Sequence, residues 1–197
     1  MALEVKAVVG PDAPEYGEAL ARLRITVFRE FPYLYEGAME YEQQYLHRYL
    51  ECPECLFVLA FDGADVVGAS TGLPMEYEVE QFTKPFTAHG FDIGKVFYFG
   101  ESVLLPGYRG QGIGHRFFDE REAYARSLGR FDLTTFCAVE RPVDHPLRPA
   151  NYRPHDVFWG KRGYVKRPEI ATTFEWRDVD QAEDSAHPMV FWTRDLD

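Results

Sequence analysis

No stretch of these 197 residues approaches the length of a membrane-spanning apolar run, so no membrane role is expected. Cysteine is scarce. Cys52, Cys55 and Cys137 are an odd number in a chain without an apolar leader, which argues against a disulfide framework and for a cytoplasmic protein. Cys52-Pro53-Glu54-Cys55 has metal-like spacing, but no second Cys or His pair follows at a zinc-site interval, and no metal is expected. Basic residues are the minority, 21 Lys and Arg against 32 Asp and Glu, giving a formal charge of -11. Grip on a phosphate backbone relies on clustered cations, so a nucleic-acid partner is excluded. Asp144, His145 and Arg148 look triad-like, but they are expected to shape an acceptor-side loop or make structural hydrogen bonds.

What is present is ample core material, 46% hydrophobic and 16% aromatic residues, enough for a single domain over residues 1–197. The most informative segment is Arg109-Gly110-Gln111-Gly112-Ile113-Gly114, lying between the apolar run Val96–Leu105 and the amphipathic run Ile113–Leu128. Glycines let the backbone approach a ligand, and a helix start leaves N–H groups unpaired, so donors can converge on phosphate oxygens. A nucleotide-tailed cofactor is implied. A Walker loop fails because Gly114-His115 stands where Lys-Ser/Thr is needed, and a dinucleotide fingerprint fails because His115 or Phe117 stands where glycine or alanine is needed.

The periodicities predict a first strand at Leu3–Val9, then a helix opened by Asp12-Ala13-Pro14-Glu15 and carrying Tyr16, Leu20, Leu23 and Val27. A second helix is expected over about Met39–Leu50, with Tyr41, Tyr45 and Tyr49 as a stripe read as core packing or acceptor pocket. Leu56–Phe61 and Val66–Leu73 read as a hairpin, Pro74–Lys95 as a short helix and loop, and Val96–Leu105 as a fourth strand. A helix from about Gly110, a fifth strand at Phe131–Val139, an irregular loop at Arg141–Pro154 and a segment at His155–Arg162 follow. Strands at Ile170–Arg177 and Met189–Arg194 close the chain, where an edge strand could pair two copies as a homodimer.

The segment Arg109–Gly114 matches Arg/Gln-x-x-Gly-x-Gly/Ala and resembles the signature of the GNAT acyl-CoA-dependent N-acetyltransferases. Phe158-Trp159-Gly160-Lys161-Arg162-Gly163-Tyr164 is similar to that family's aromatic-x-x-x-Gly-aromatic ending of the fourth helix. The resemblance implies an α/β (α+β) fold: one GNAT-like domain, a mixed sheet of about seven strands with strands four and five splayed, and about four helices. It also implies acetyl-CoA as acyl donor and an amine of a small molecule or peptide as acceptor. It places the diphosphate on the amides of Gln111, Gly112, Ile113, Gly114 and His115, within the loop begun by Arg109 and Gly110. The pantetheine arm would pair with the backbone of Val103 and Leu105, across Leu104.

Transfer to an alkylammonium requires removal of a proton. Glu101 is the candidate base, because it interrupts the apolar run Phe97–Leu105 and a buried carboxylate is costly unless compensated. Its rival reading is an ion pair with a structural arginine. Trp159 stands where the family's tyrosine acid is usual, and an indole N–H is not a practical proton donor. That substitution keeps a second reading open, a non-catalytic acyl-CoA-binding module. Tyr152 and Tyr164 lie nearby in sequence.

Overall fold

The computed structural model describes residues 3–196. Strand β1, Glu4–Val9, leads through a 3-10 turn at Gly10–Tyr16 to helix α1, Gly17–Phe28. The proline-containing start therefore forms that tighter turn, and the α-helix begins later than the Asp12 motif suggests. Helix α2, Met39–Glu51, precedes the hairpin of β2, Leu56–Asp62, and β3, Asp65–Pro74, whose turn places Gly63 at φ +64°. Glycine has no Cβ to clash in that left-handed conformation.

Helix α3, Glu80–Ala88, fills the excursion after β3. Then come β4, Val96–Tyr98; β5, Ser102–Leu104; helix α4, Ile113–Ser127; β6, Leu133–Val139; helix α5, Asp156–Lys161; β7, Val165–Trp176; and β8, Ser185–Asp195. The sheet order is β1-β2-β3-β4-β6-β8-β7, with β5 paired to β3 only. All contacts are antiparallel except β4 with β6. The outer strand is β7. The last strand, β8, lies inside the sheet, so the edge strand of the C-terminal pair is β7.

Both faces of the sheet are covered, which is why β2 reads as continuous apolar sequence rather than alternating. Phe57 and Leu59 pack with Leu20, Leu46 and Phe86 on the face carrying α1, α2 and α3. Leu56, Val58 and Ala60 pack with Ile113 and Phe117 of α4 on the other. Beside them, Phe118 and Ala125 of α4 join Phe136, Tyr164 and Trp192, with Phe158 and Trp159 of α5 against them. Among the described residues, no helix is long and apolar enough to cross a membrane.

One departure from the expected strand order builds the site. The run Val96–Leu105 is not one strand but two, so among the described residues the sheet has eight strands, and the α-helices number five with α3 and α5. Against β3, Tyr98 lies opposite Leu73, while Ser102 lies opposite Ser70, a shift of one residue in register. The extra residue is accommodated at Thr71, which receives the Gly100 amide at 3.2 Å and donates its own to the Glu101 carbonyl at 3.1 Å. Two residues facing one is a β-bulge, which bends a strand and re-aims side chains. A Cβ on Gly100 would stand 2.4 Å from both Thr71 Oγ1 and Tyr49 Oη, so only glycine fits there. The last contact toward β6 is the Phe99 amide on the Thr135 carbonyl at 2.7 Å. Beyond it β5 and β6 part. This is the expected splay, and the bulge is its cause.

Candidate active site

At the outer end of the β5–β6 gap the chain turns through Pro106–Tyr108, runs extended at Arg109, and takes positive φ at Gly110, +77°, and Gly112, +83°. Ile113 is buried against Leu56, Val58, Val67 and Phe117, which anchors the first turn of α4 and leaves its opening amides facing outward. No backbone carbonyl receives the amides of Gly110, Gln111, Gly112, Ile113 or Gly114 among the described residues. The His115 amide is already committed to the Gly112 carbonyl at 3.0 Å. A Cβ at Gly110 or Gly112 would meet nothing within 4 Å. Unpaired donors around open space at a helix N-terminus form an anion cradle, so the residues present fit a diphosphate.

The side chains around the cradle are cationic in an acidic chain. Arg109 donates from Nε to the Leu104 carbonyl at 3.1 Å and pairs with Glu30 at 2.7 Å. Arg162 reaches the exposed His115 ring, Nη1 to Nδ1 3.3 Å, while that ring packs edge-on against Phe158. The Gln111 side chain bonds the Gly107 carbonyl at 3.4 Å.

Register decides which backbone groups face the gap. The Leu105 amide donates to the Val67 carbonyl at 3.0 Å, and the Thr71 amide donates to Glu101, so residues 101, 103 and 105 are the ones that bond β3. Alternation along an antiparallel pair turns the intervening groups, those of Ser102 and Leu104, into the gap. Val103 and Leu105, expected to pair with pantetheine, therefore turn their main-chain groups to β3, and Leu104, between them, turns its own into the gap.

At the inner end of the gap the bulge directs Glu101, only 4% exposed, toward α1 and α2. One carboxylate oxygen accepts from Arg24 Nη1 and from Tyr45 Oη at 3.0 Å; the other accepts from Thr71 Oγ1 at 2.8 Å, which in turn receives Tyr49 Oη at 2.7 Å. Arg24 Nε also pairs with buried Glu42 at 2.5 Å, and its guanidinium stacks 3.8 Å from the Tyr45 ring centroid. The structural arginine of the rival reading is thus real, and it holds Glu101 at the wall of a cavity of about 100 Å³. Tyr41 and Tyr45 of the α2 stripe line this cavity, whereas Tyr49 is buried in the core.

The bulge is bolted from the other face by Arg121, at 1% exposure. Its guanidinium donates to the Thr71 and Glu101 carbonyls at 3.3 Å each and to Ser102 Oγ at 2.9 Å. Burial pulls Arg121 down to about 10, with nearby Tyr164, Glu101 and Glu122 opposing that shift. The α1–α2 loop, which walls the cavity, is fixed by Arg141, bonded to the Pro32 and Tyr33 carbonyls at 2.7 and 2.6 Å and bidentate to Asp178.

The Arg141–Pro154 loop arches back to the same α1–α2 loop. Tyr152 meets Phe31 edge-on with ring centroids 4.7 Å apart, and His145 packs on Phe31 at 5.7 Å. Between them and Arg109 lies a second cavity of about 450 Å³ on the cradle side. His145 is thus a packing residue beside this cavity and stands in no triad. Tyr164 is buried, bonded to Glu122 and Thr134 at 3.2 and 3.1 Å, and burial raises its hydroxyl well above the usual phenol range. Trp159 packs on Phe136 and Trp192. The Cys55 thiol bonds the main-chain carbonyls of Gly10, after β1, and Tyr49, in α2, and among the described residues no cluster of His, Cys, Asp or Glu could hold a metal ion.

Arg24, Glu42, Thr71 and Arg121 are functional neighbours that sequence reasoning missed. A signal existed for three of them. Arg24 follows Leu20 by four residues on the buried face of α1, Glu42 precedes Leu46 on that of α2, and Arg121 follows Phe117 on that of α4. A charge on a buried helical stripe implies a buried partner.

A main-chain anion cradle opening onto a parted sheet belongs to proteins that lay a nucleotide-tailed cofactor into their own sheet. The chain belongs to the Acetyltransferase (GNAT) family, whose model matches residues 20–148. Among curated proteins, none matches the chain in sequence. Solved structures share the fold at low identity. An N-acetyltransferase from Staphylococcus aureus Mu50 superposes with TM-score 0.63 at 10% identity over all of both chains. A ribosomal-protein-alanine N-acetyltransferase from Brucella melitensis gives 0.60 at 13%, covering 98% of this chain and 99% of its own. The Salmonella typhimurium protein yncA, solved with its cofactor acetyl-CoA, gives 0.61 at 9%, covering all of this chain and 95% of its own.

Proposed function

We propose that this protein moves an acetyl group from acetyl-CoA to a primary amine of a small molecule or peptide, by direct attack within a ternary complex. The observation that carries the reading is the β5–β6 gap, with free amides at one end and a buried carboxylate facing a cavity at the other. Acetyl-CoA supplies the activated thioester. The amides of Gly110 to Gly114, with Arg109 at the rim, hold its diphosphate, and the main-chain groups of Ser102 and Leu104 pair with its arm as an added strand would. Glu101, held by Arg24, Tyr45 and Thr71, keeps a free lone pair on the oxygen that accepts only from Thr71, and receives the proton shed by the acceptor nitrogen.

Direct attack is favoured by the state of the one thiol in the cavity wall. Cys137 is bonded to Tyr98 Oη at 3.3 Å, and burial pushes it up to about 12, so it is a poor nucleophile at neutral pH. No side chain is needed as acid, because a thiolate whose conjugate acid has a pKa near about 8.5 departs unaided. Acetyl-CoA at about 100 times its Kd should raise the unfolding midpoint by about 5–10 °C, as expected for a ligand of the folded state of a chain this size. Amines should then release free thiol from the bound coenzyme. No shift at saturation would sink the reading, and a shift without thiol release would leave only a coenzyme-binding module.

A further inference from the structure

The cavity beside Glu101 also says what kind of amine enters. We infer that its occupant is a slender primary alkylammonium carrying no carboxylate or phosphate close to the nitrogen; this rests on the acetyltransferase reading of the same site.

Three features of the wall carry the inference. The first is charge. Two buried carboxylates, Glu42 and Glu101, share one guanidinium, Arg24, so the triad holds one negative charge unmatched. The surrounding charged groups do not reverse that balance. Arg48 is matched by Glu78, and Arg141 by Asp178. Arg121 lies on the α4 face, where it bonds the Thr71 and Glu101 carbonyls and the Ser102 hydroxyl with Glu122 beside it, while Glu175 adds an exposed carboxylate to the cavity wall.

The second feature is aromaticity. Phe28, Tyr33, Tyr45, Tyr98, Phe174 and Trp176 line the space, and ring faces attract cations. Burial raises the hydroxyls of Tyr33, Tyr45 and Tyr98 far above the phenol range, so they stay neutral and donate or accept without adding charge. The wall already stabilises one cation in this way, since Arg24 lies on Tyr45 and 5.1 Å from the Phe28 centroid. An anionic group would find no free cation here. The one guanidinium in the wall is taken by two carboxylates, and burying an unpaired anion is costly.

The third feature is size. A cavity of about 150 Å³ holds a benzene molecule. This one, at about 100 Å³, suits an unbranched chain of few carbons better than a ring. The ammonium would meet Glu101, lose a proton to it, and attack as the neutral amine. The methylenes would lie against the rings.

Three isosteres that differ in charge test this without relying on turnover. n-Butylammonium, n-butanol and butyrate are titrated at pH 7.5 into the full chain, reading Trp176 emission, with Trp176→Phe as the blank. The ammonium should half-saturate at a concentration about tenfold or more below butanol, and butyrate should give no saturable response. Butanol binding as well as the ammonium, butyrate saturating, or no response to the ammonium would each overturn the inference. Thiol release from acetyl-CoA keeps the two readings apart. Transfer to glycine as fast as to n-butylamine would overturn the acceptor class and leave acetyl transfer standing. Binding of the ammonium without thiol release would do the reverse.

Discussion

Glu101→Gln should lower turnover at saturating acetyl-CoA and amine by about 100-fold or more, the range a positioned general base contributes. Coenzyme affinity should stay within about threefold, because the cradle lies at the other end of the gap. The substitution keeps the shape and the acceptor for Thr71. It also leaves Arg24 paired with Glu42, so no buried charge is stranded and the fold should hold. Steady-state kinetics with a parallel coenzyme titration separates the two quantities. Equal turnover in the two proteins would remove Glu101 as the proton acceptor. A loss of coenzyme binding as large as the loss of rate would assign it a structural role instead.

Gly114→Asp should weaken acetyl-CoA binding by on the order of 100-fold or more. Two like charges about 4 Å apart repel by about 4 kcal/mol at an effective dielectric of about 20. The chain should remain folded. The new Cβ would meet Phe158 Cζ at 3.7 Å, an ordinary contact, and an acidic residue in the first turn of a helix complements the dipole. Gly114 is the better site than Gly112, whose φ of +83° would add backbone strain to the charge effect. Unchanged affinity in a calorimetric titration would mean that the diphosphate does not sit on these amides.

The cradle was legible because its chemistry is local. Within Arg109–Gly114 the glycines and the helix start are contiguous, so strand, turn and helix can be read in one pass. The broad element order was legible for the same reason, since periodicity is a property of neighbours. The bulge was not. Phe97-Tyr98-Phe99-Gly100-Glu101-Ser102-Val103-Leu104-Leu105 reads as one strand, and only Gly100 hinted at a break. That single extra residue decides which main-chain groups open into the gap: those of Ser102 and Leu104, not those of Val103 and Leu105, which were expected to pair with the arm. The partners of Glu101 were hidden by distance along the chain. Arg24 is 77 residues away, Tyr45 56 and Thr71 30, and no spacing rule connects them. A buried arginine on a helix stripe tells that a partner exists, not which one.

The claim on which the rest depends is that main-chain amides, rather than side chains, hold the diphosphate. A crystal of the full chain with acetyl-CoA tests it directly. The account predicts diphosphate oxygens within about 3.2 Å of two or more of the Gln111, Gly112, Ile113 and Gly114 amides, with the arm running along Leu104 toward Glu101. Coenzyme density outside the β5–β6 gap, or phosphates held by arginine side chains with those amides left bare, would contradict it.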